Sequence, residues 1–371
     1  MKMYGKEVLK GMTAYKQGMQ ISEVQRKYNL EKIVKLASNE NPYGFSDEVK
    51  SYLQTADHDY AFYPDGYAYE LRKSLAEKLE VTDEQLVFGS GSDEIITFIC
   101  RAFLHEGTNT IMAAPTFPQY RHHALIEGAT VKEIPTINGR HDLLKMQEAI
   151  DEQTKVVWLC TPDNPSGEII SKSEFTQFMD KCPEEVLVVL DEAYIEFVDE
   201  DLRFDLHDIL ARYKNVVVLR TLSKIYGLAG LRVGYAIAHV DIANKLNIVR
   251  GPFNTTSLTQ RVAMIALQDD NFIKETKRQN DSVRKQFEQF LDQLGWTYNE
   301  SHTNFLLVHT PIDADEAALY LLKHGFIVRS GSLLGYPNTI RVTIGLEDDM
   351  KALHGVIEKL QKEINSGEVS R

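Results

Sequence analysis

Apolar positions along this chain follow two different rhythms. Up to about residue 255, short apolar runs alternate with stretches of helical periodicity. The runs Gln85–Phe88, Thr110–Ala113, Val131–Ile134, Val156–Cys160, Val186–Leu190, Val216–Leu219 and Val233–Ala238 predict strands. Several are apolar without interruption, as a strand must be when helices cover both faces of its sheet. Between them, Asp93–Leu104, Phe117–Ile126, Leu143–Ile150 and Lys172–Lys181 predict helices. The alternation predicts an α/β domain whose mostly parallel sheet is covered by helices.

From about Ser257 the rhythm changes. Ser257–Leu294 has the pattern of long amphipathic helix with a break near Asp269–Asn271. Short strands are predicted at Asn304–His309, Ile327–Arg329 and Thr339–Ile344, with helices at Asp313–His324 and Asp348–Gln361. This predicts a smaller α+β domain. The first 40 or so residues have no evident core of their own and are expected to pack onto it. The expected division is therefore 45–255 for the large domain, and 1–44 with 256–371 for the small one.

Length agrees with that division, since 371 residues exceed one ordinary core and fall short of three. Apolar residues at 43% and charged residues at 26% are those of a soluble globular protein. The formal net charge of −13 disfavours nucleic acid or an anionic membrane as partner. An anionic ligand would need a few placed cations. Cys100, Cys160 and Cys182 are too few and too scattered for a disulfide framework, and no Cys/His cluster has zinc-ligand spacing, so no metal is expected. With no apolar run of membrane-spanning length and no signal-like core in Met1–Met12, a cytoplasmic location is expected.

In an open parallel sheet, ligands bind beyond the carboxyl ends of the strands. The residues following each apolar run are therefore informative. Five runs are followed in turn by Gly89-Ser90-Gly91-Ser92-Asp93-Glu94, by Pro115-Thr116-Phe117-Pro118, by Asn164-Pro165-Ser166-Gly167, by Asp191-Glu192-Ala193-Tyr194, and by Thr221-Leu222-Ser223-Lys224. Any one could be an ordinary turn; five at one sheet edge mark a site. The small residues opening a helix at Ser92 suit an anion, although a plain helix cap accounts for them equally well. A carboxylate closing an apolar strand, Asp191, is costly unless paired. It suits a cationic ring nitrogen, with a turn cap as the ordinary alternative. Lys224 alone would be a surface charge. Beside Thr221, Ser223 and Arg232 it becomes an amine next to a phosphate clamp.

These motifs, in this order and with 33 residues from Asp191 to Lys224, resemble the fold-type I pyridoxal-phosphate aminotransferases over nearly the whole chain. The resemblance implies that Lys224 carries pyridoxal 5'-phosphate and moves the proton during transamination. It implies that Asp191 pairs with the ring nitrogen, that Asn164 and Tyr194 bond the ring oxygen, and that Phe117 stacks on the ring. Ser92, Asp93, Thr221, Ser223 and Arg232 would hold the phosphate. Tyr63, in Tyr63-Pro64-Asp65-Gly66, would reach the phosphate of the partner subunit, which implies a homodimer.

Within the family, the stretch from Leu36 to Gly44 (including Asn41), Asp191–Phe197, Thr303-Asn304-Phe305 and Ile340–Gly345 are most similar to the branch acting on histidinol phosphate. There Arg341 would bind the carboxylate of glutamate or 2-oxoglutarate and the phosphate of the alternate substrate, assisted by Arg329. The usual Pro-Tyr-x-Pro-Gly is Ala14-Tyr15-Lys16-Gln17-Gly18 here, so both prolines are missing around Tyr15, the expected substrate contact. Aromatic amino-acid transamination and decarboxylation of a phosphorylated amino acid are the alternatives on such a scaffold. A regulator built on it would need a DNA-binding module, and the first 40 or so residues show no helix-turn-helix pattern.

Overall fold

The computed structural model describes residues 5–14, 21–56 and 60–368. All seven strands expected in the first part of the chain form, and they join in one sheet. Its spatial order is Leu86–Gly89, Gly234–Ala238, Val216–Thr221, Leu187–Asp191, Thr154–Cys160, Asn109–Ala114 and Thr130–Pro135. All but Gly234–Ala238 point the same way; that strand runs antiparallel to both of its neighbours.

The uninterrupted apolar runs follow from two cores, one on each face. Val157, Leu159, Val188, Leu190, Val216 and Val218 point into one. Val156, Trp158, Cys160, Val189, Val217 and Leu219, their immediate neighbours, point into the other. With side chains alternating at period two, a strand buried on both sides can afford no polar residue until its end. Fully burying each Val or Leu contributes roughly 1.5–3 kcal/mol. The polar residues at the strand ends are therefore displaced from a strongly apolar background to one edge.

The later part of the chain builds a three-stranded antiparallel sheet of Arg329–Ser330, Thr339–Thr343 and Phe305–His309, packed with the helices Ala314–Lys323 and Glu347–Ser366 around a third core. The single strand expected at Ile327–Arg329 divides. Phe326–Ile327 pairs with Val34–Lys35 from the beginning of the chain, while Arg329–Ser330 pairs with Thr339–Thr343. The long amphipathic stretch breaks where expected. Asp269, at φ −92 and ψ 72, ends the helix Ser257–Gln268, and its side chain caps Asp270–Leu294 by accepting from the Phe272 N–H. Val262, Ala263, Ala266 and Leu267 of the first of these helices lie in the core beneath the seven-stranded sheet.

Candidate active site

One cleft of about 1360 Å³ opens at the carboxyl edge of the large sheet. It is lined by Ser92, Asp93, Phe117, Asn164, Asp191, Tyr194, Thr221, Ser223, Lys224 and Arg232, together with Arg329 and Arg341 from the small sheet. Twelve positions expected from sequence thus come together.

The reversed strand explains the corner where a phosphate would sit. Thr221 is in register with Gly234, and Gly234 with Gly89, so the chain returns Arg232 to the edge it left at Ser223. Arg232 donates through Nη1 to Ser223 Oγ at 3.3 Å and through Nη2 to the Ser90 carbonyl at 3.2 Å, and it stands 3.8 Å from Asp93. Gly91, at φ +83, takes a backbone conformation that residues with a side chain rarely adopt, and it lies against the Arg232 guanidinium. Gly91 is also the N-cap of the helix Ser92–Phe103 and supplies no side-chain cap. That disposes of the plain-cap alternative for Ser92: backbone N–H groups and the helix dipole face the corner instead.

Asp191 ends its strand fully buried. Its Oδ1 accepts from the Ala193 N–H at 3.1 Å and its Oδ2 from the Tyr120 hydroxyl at 2.6 Å. Burial pushes its carboxyl up to about 6 against those two donors. The next residue, Glu192, is buried and receives Nε and Nη2 of Arg220, both at 2.8 Å, which ties the turn to the neighbouring strand. Tyr194 completes the turn. Its hydroxyl accepts from Asn39 Nδ2 at 2.8 Å and from Asn164 Nδ2 at 3.4 Å.

Lys224 is half-buried, with its Nζ 5.3 Å from the centre of the Tyr194 ring. Burial, aided by the nearby Arg341 charge, lowers its ammonium from the usual 10.5 to about 8. Neutral amine is therefore accessible near physiological pH, as a nucleophilic lysine requires.

On the far wall, Arg329 and Arg341 are directly opposed across two antiparallel strands. Both side chains line the cleft. Arg341 is oriented by its bonds to the Ala37 carbonyl at 2.7 Å and to Asn164 Oδ1 at 2.5 Å, and it lies over the Phe305 ring at 5.2 Å.

The cleft does not gather every expected residue. Tyr63 is 83% exposed and stacks on Phe253 at 4.7 Å, outside the cleft. Asn41 is not in the lining: its amide donates to the Ile225 carbonyl at 2.7 Å and its Oδ1 accepts from the Tyr43 N–H at 3.0 Å. Tyr15 lies outside the described residues. Two participants were not anticipated. Asn39, in the left-handed conformation at φ 57, lines the cleft and holds Tyr194. Tyr120 sits behind Asp191.

These residues fit pyridoxal 5'-phosphate. Hydroxyls, helix N–H groups and a guanidinium meet where an anion would lie, and a buried carboxylate and a half-buried amine line the same cleft. Among the described residues, no group of three or more His, Cys, Asp or Glu could hold a metal ion, and no helix is long and apolar enough to cross a membrane.

Fold and site together define an enzyme of amino-group transfer. Residues 31–357 match the aminotransferase class I and II family, and the chain belongs to it. It is 53% identical over 363 residues to histidinol-phosphate aminotransferase 2 of Oceanobacillus iheyensis, covering 98% of this chain and 100% of that one. It is 50% identical to histidinol-phosphate aminotransferase of Lysinibacillus sphaericus, covering 97% and 99%. The crystal structure of histidinol-phosphate aminotransferase from Sinorhizobium meliloti in complex with pyridoxal-5'-phosphate shares the fold, with a TM-score of 0.88 at 24% identity, covering 97% of this chain and 98% of that one.

Proposed function

We propose that this chain transfers the amino group of L-histidinol phosphate to 2-oxoglutarate, giving imidazole-acetol phosphate and L-glutamate, a step of histidine biosynthesis. Pyridoxal 5'-phosphate is the cofactor. The observation that carries the proposal is the single cleft in which Lys224 lies with Asp191, the phosphate corner and the opposed Arg329 and Arg341. Relatives about half identical over almost their full length, and named for this reaction, support the substrate.

When bound, the cofactor supplies an electron-withdrawing ring that stabilises charge at the substrate Cα. Ser92 and Asp93, through their backbone N–H groups, and Thr221, Ser223 and Arg232 hold its phosphate. Asp191 would meet the ring nitrogen, Asn164 and Tyr194 would meet the ring oxygen, and Phe117 would cover a ring face. Lys224 Nζ takes the proton from the substrate Cα and later returns it, and its lowered pKa leaves part of the amine neutral and able to accept that proton near physiological pH. Arg341, assisted by Arg329, receives the carboxylate of one substrate and the phosphate of the other.

Tyr63, exposed on one protomer, belongs to the phosphate site of a second copy, and the enzyme is a homodimer in the cytoplasm. The division remains that read from sequence, 45–255 for the large domain and 1–44 with 256–371 for the small one, except that the helix Ser257–Gln268 packs into the large core. The direct test supplies purified protein with imidazole-acetol phosphate and glutamate. Formation of histidinol phosphate, with kcat/KM well above that for tyrosine or phenylalanine as donor, is the expected result. No histidinol phosphate, or a preference for the aromatic donors, would overturn the substrate assignment.

A further inference from the structure

We propose that Tyr120 is a positioning residue for the reaction, fixing the Asp191 carboxylate that meets the cofactor ring; this rests on the cofactor assignment above. Tyr120 belongs to the helix Gln119–Ile126 and is wholly buried. Its ring lies against Trp158 of the neighbouring strand at 4.7 Å and 13°, and against the edge of Phe117 at 5.5 Å. Trp158 is itself fixed, because its Nε1 donates to Thr110 Oγ1 at 2.8 Å, and that hydroxyl donates to the Val156 carbonyl at 2.8 Å. A strand, a helix and a loop therefore hold the phenol in place, and its hydroxyl donates to Asp191 Oδ2 at 2.6 Å.

Packing alone does not require that hydroxyl, since phenylalanine would fill the same space against Trp158. A buried hydroxyl is costly unless bonded, and this one is bonded to the carboxylate. The groups facing Asp191 divide into two sets. Burial and the charges of Asp93 and Glu192 favour its protonated form, while the donors Tyr120 and Ala193 favour the carboxylate. The buried Cys160 thiol lies at the same hydroxyl and adds no cation. Removing the Tyr120 donor leaves only the Ala193 N–H to orient and stabilise the anion. Each oxygen keeps a further lone pair for the ring nitrogen.

The test uses full-length Tyr120→Phe with pyridoxal 5'-phosphate as probe. Affinity for the cofactor is expected to fall about tenfold, as for the loss of one hydrogen bond to a charged group. The pH at which the bound cofactor's absorbance changes should shift by about half a unit or more. The kcat should fall about tenfold with KM for glutamate within about twofold, the split expected of a group that does not touch the substrate. Trp158→Phe keeps an aromatic surface but loses the bond to Thr110, and should weaken cofactor binding in the same direction by about twofold. It decides the matter if Tyr120→Phe does not fold. Unchanged cofactor affinity and an unchanged pH profile, with only thermal stability lowered, would reduce Tyr120 to packing and overturn the inference. If the wild-type chain takes up no cofactor, the underlying assignment fails instead.

Discussion

The two walls of the cleft are built differently. The wall assigned to the cofactor consists of strand ends from a sheet buried on both faces, and its polar groups are interlocked: Asp191 with Tyr120 and Ala193, Ser223 with Thr221 and Arg232. The wall assigned to the substrate consists of short strands carrying two opposed arginines, and its rim includes Leu333, 64% exposed. One wall is tied together by hydrogen bonds among its own polar groups. The other carries two cations and an exposed leucine at its rim, and on the proposed function it is where substrate choice would be made. The comparison teaches that cofactor and substrate functions should separate under mutation.

The largest expected effect is that of Lys224→Ala, which should lower the transamination rate by roughly 10⁴-fold, the upper range for loss of a placed base. Steady-state assays would show it, and near-normal activity would remove the basis for the cofactor wall. Next is Arg341→Leu. It should lower kcat/KM for both glutamate and histidinol phosphate about a hundredfold through the loss of charge-assisted bonds, with a much smaller loss of cofactor affinity, since Arg341 also bonds Asn164. Loss of cofactor together with activity would show that the walls are not separable. Thr221→Val should act in the opposite sense, weakening cofactor binding about fivefold while leaving KM for glutamate unaltered, as measured by titration of cofactor-free protein.

The separation is legible in the sequence to different depths. Asp191 could be found because an apolar run that suddenly ends on a charge is anomalous whatever the fold, and Lys224 because Thr221, Ser223 and Arg232 surround it in the sequence. Tyr120 could not, since an aromatic inside a helix looks like core, and its partner lies 71 residues away. Asn39 was hidden in the same way: its contact with Tyr194 spans 155 residues and depends on a left-handed backbone. Its neighbour Asn41 drew the attention instead, yet its side chain serves the backbone. Apolar pattern located the strand Gly234–Ala238 but carries no direction. Its reversal, which returns Arg232 to the phosphate corner, had to be seen in three dimensions.

The smallest effect concerns pH. Burial disfavours the Lys224 ammonium, so the amine loses its proton near pH 8 rather than 10.5. The rate at which cofactor-free protein captures pyridoxal 5'-phosphate should therefore rise with pH up to about 8 and level off above it. Stopped-flow absorbance would follow this. A rise continuing to pH 10 would mean that the lysine is solvated and the cleft open.

The central claim is that Lys224 is the cofactor lysine. Its most direct test is borohydride reduction of the purified protein after incubation with pyridoxal 5'-phosphate, followed by peptide mapping. The account predicts one stoichiometric phosphopyridoxyl label, on Lys224, and none in Lys224→Ala. Label spread over surface lysines, or concentrated on another lysine, would contradict it.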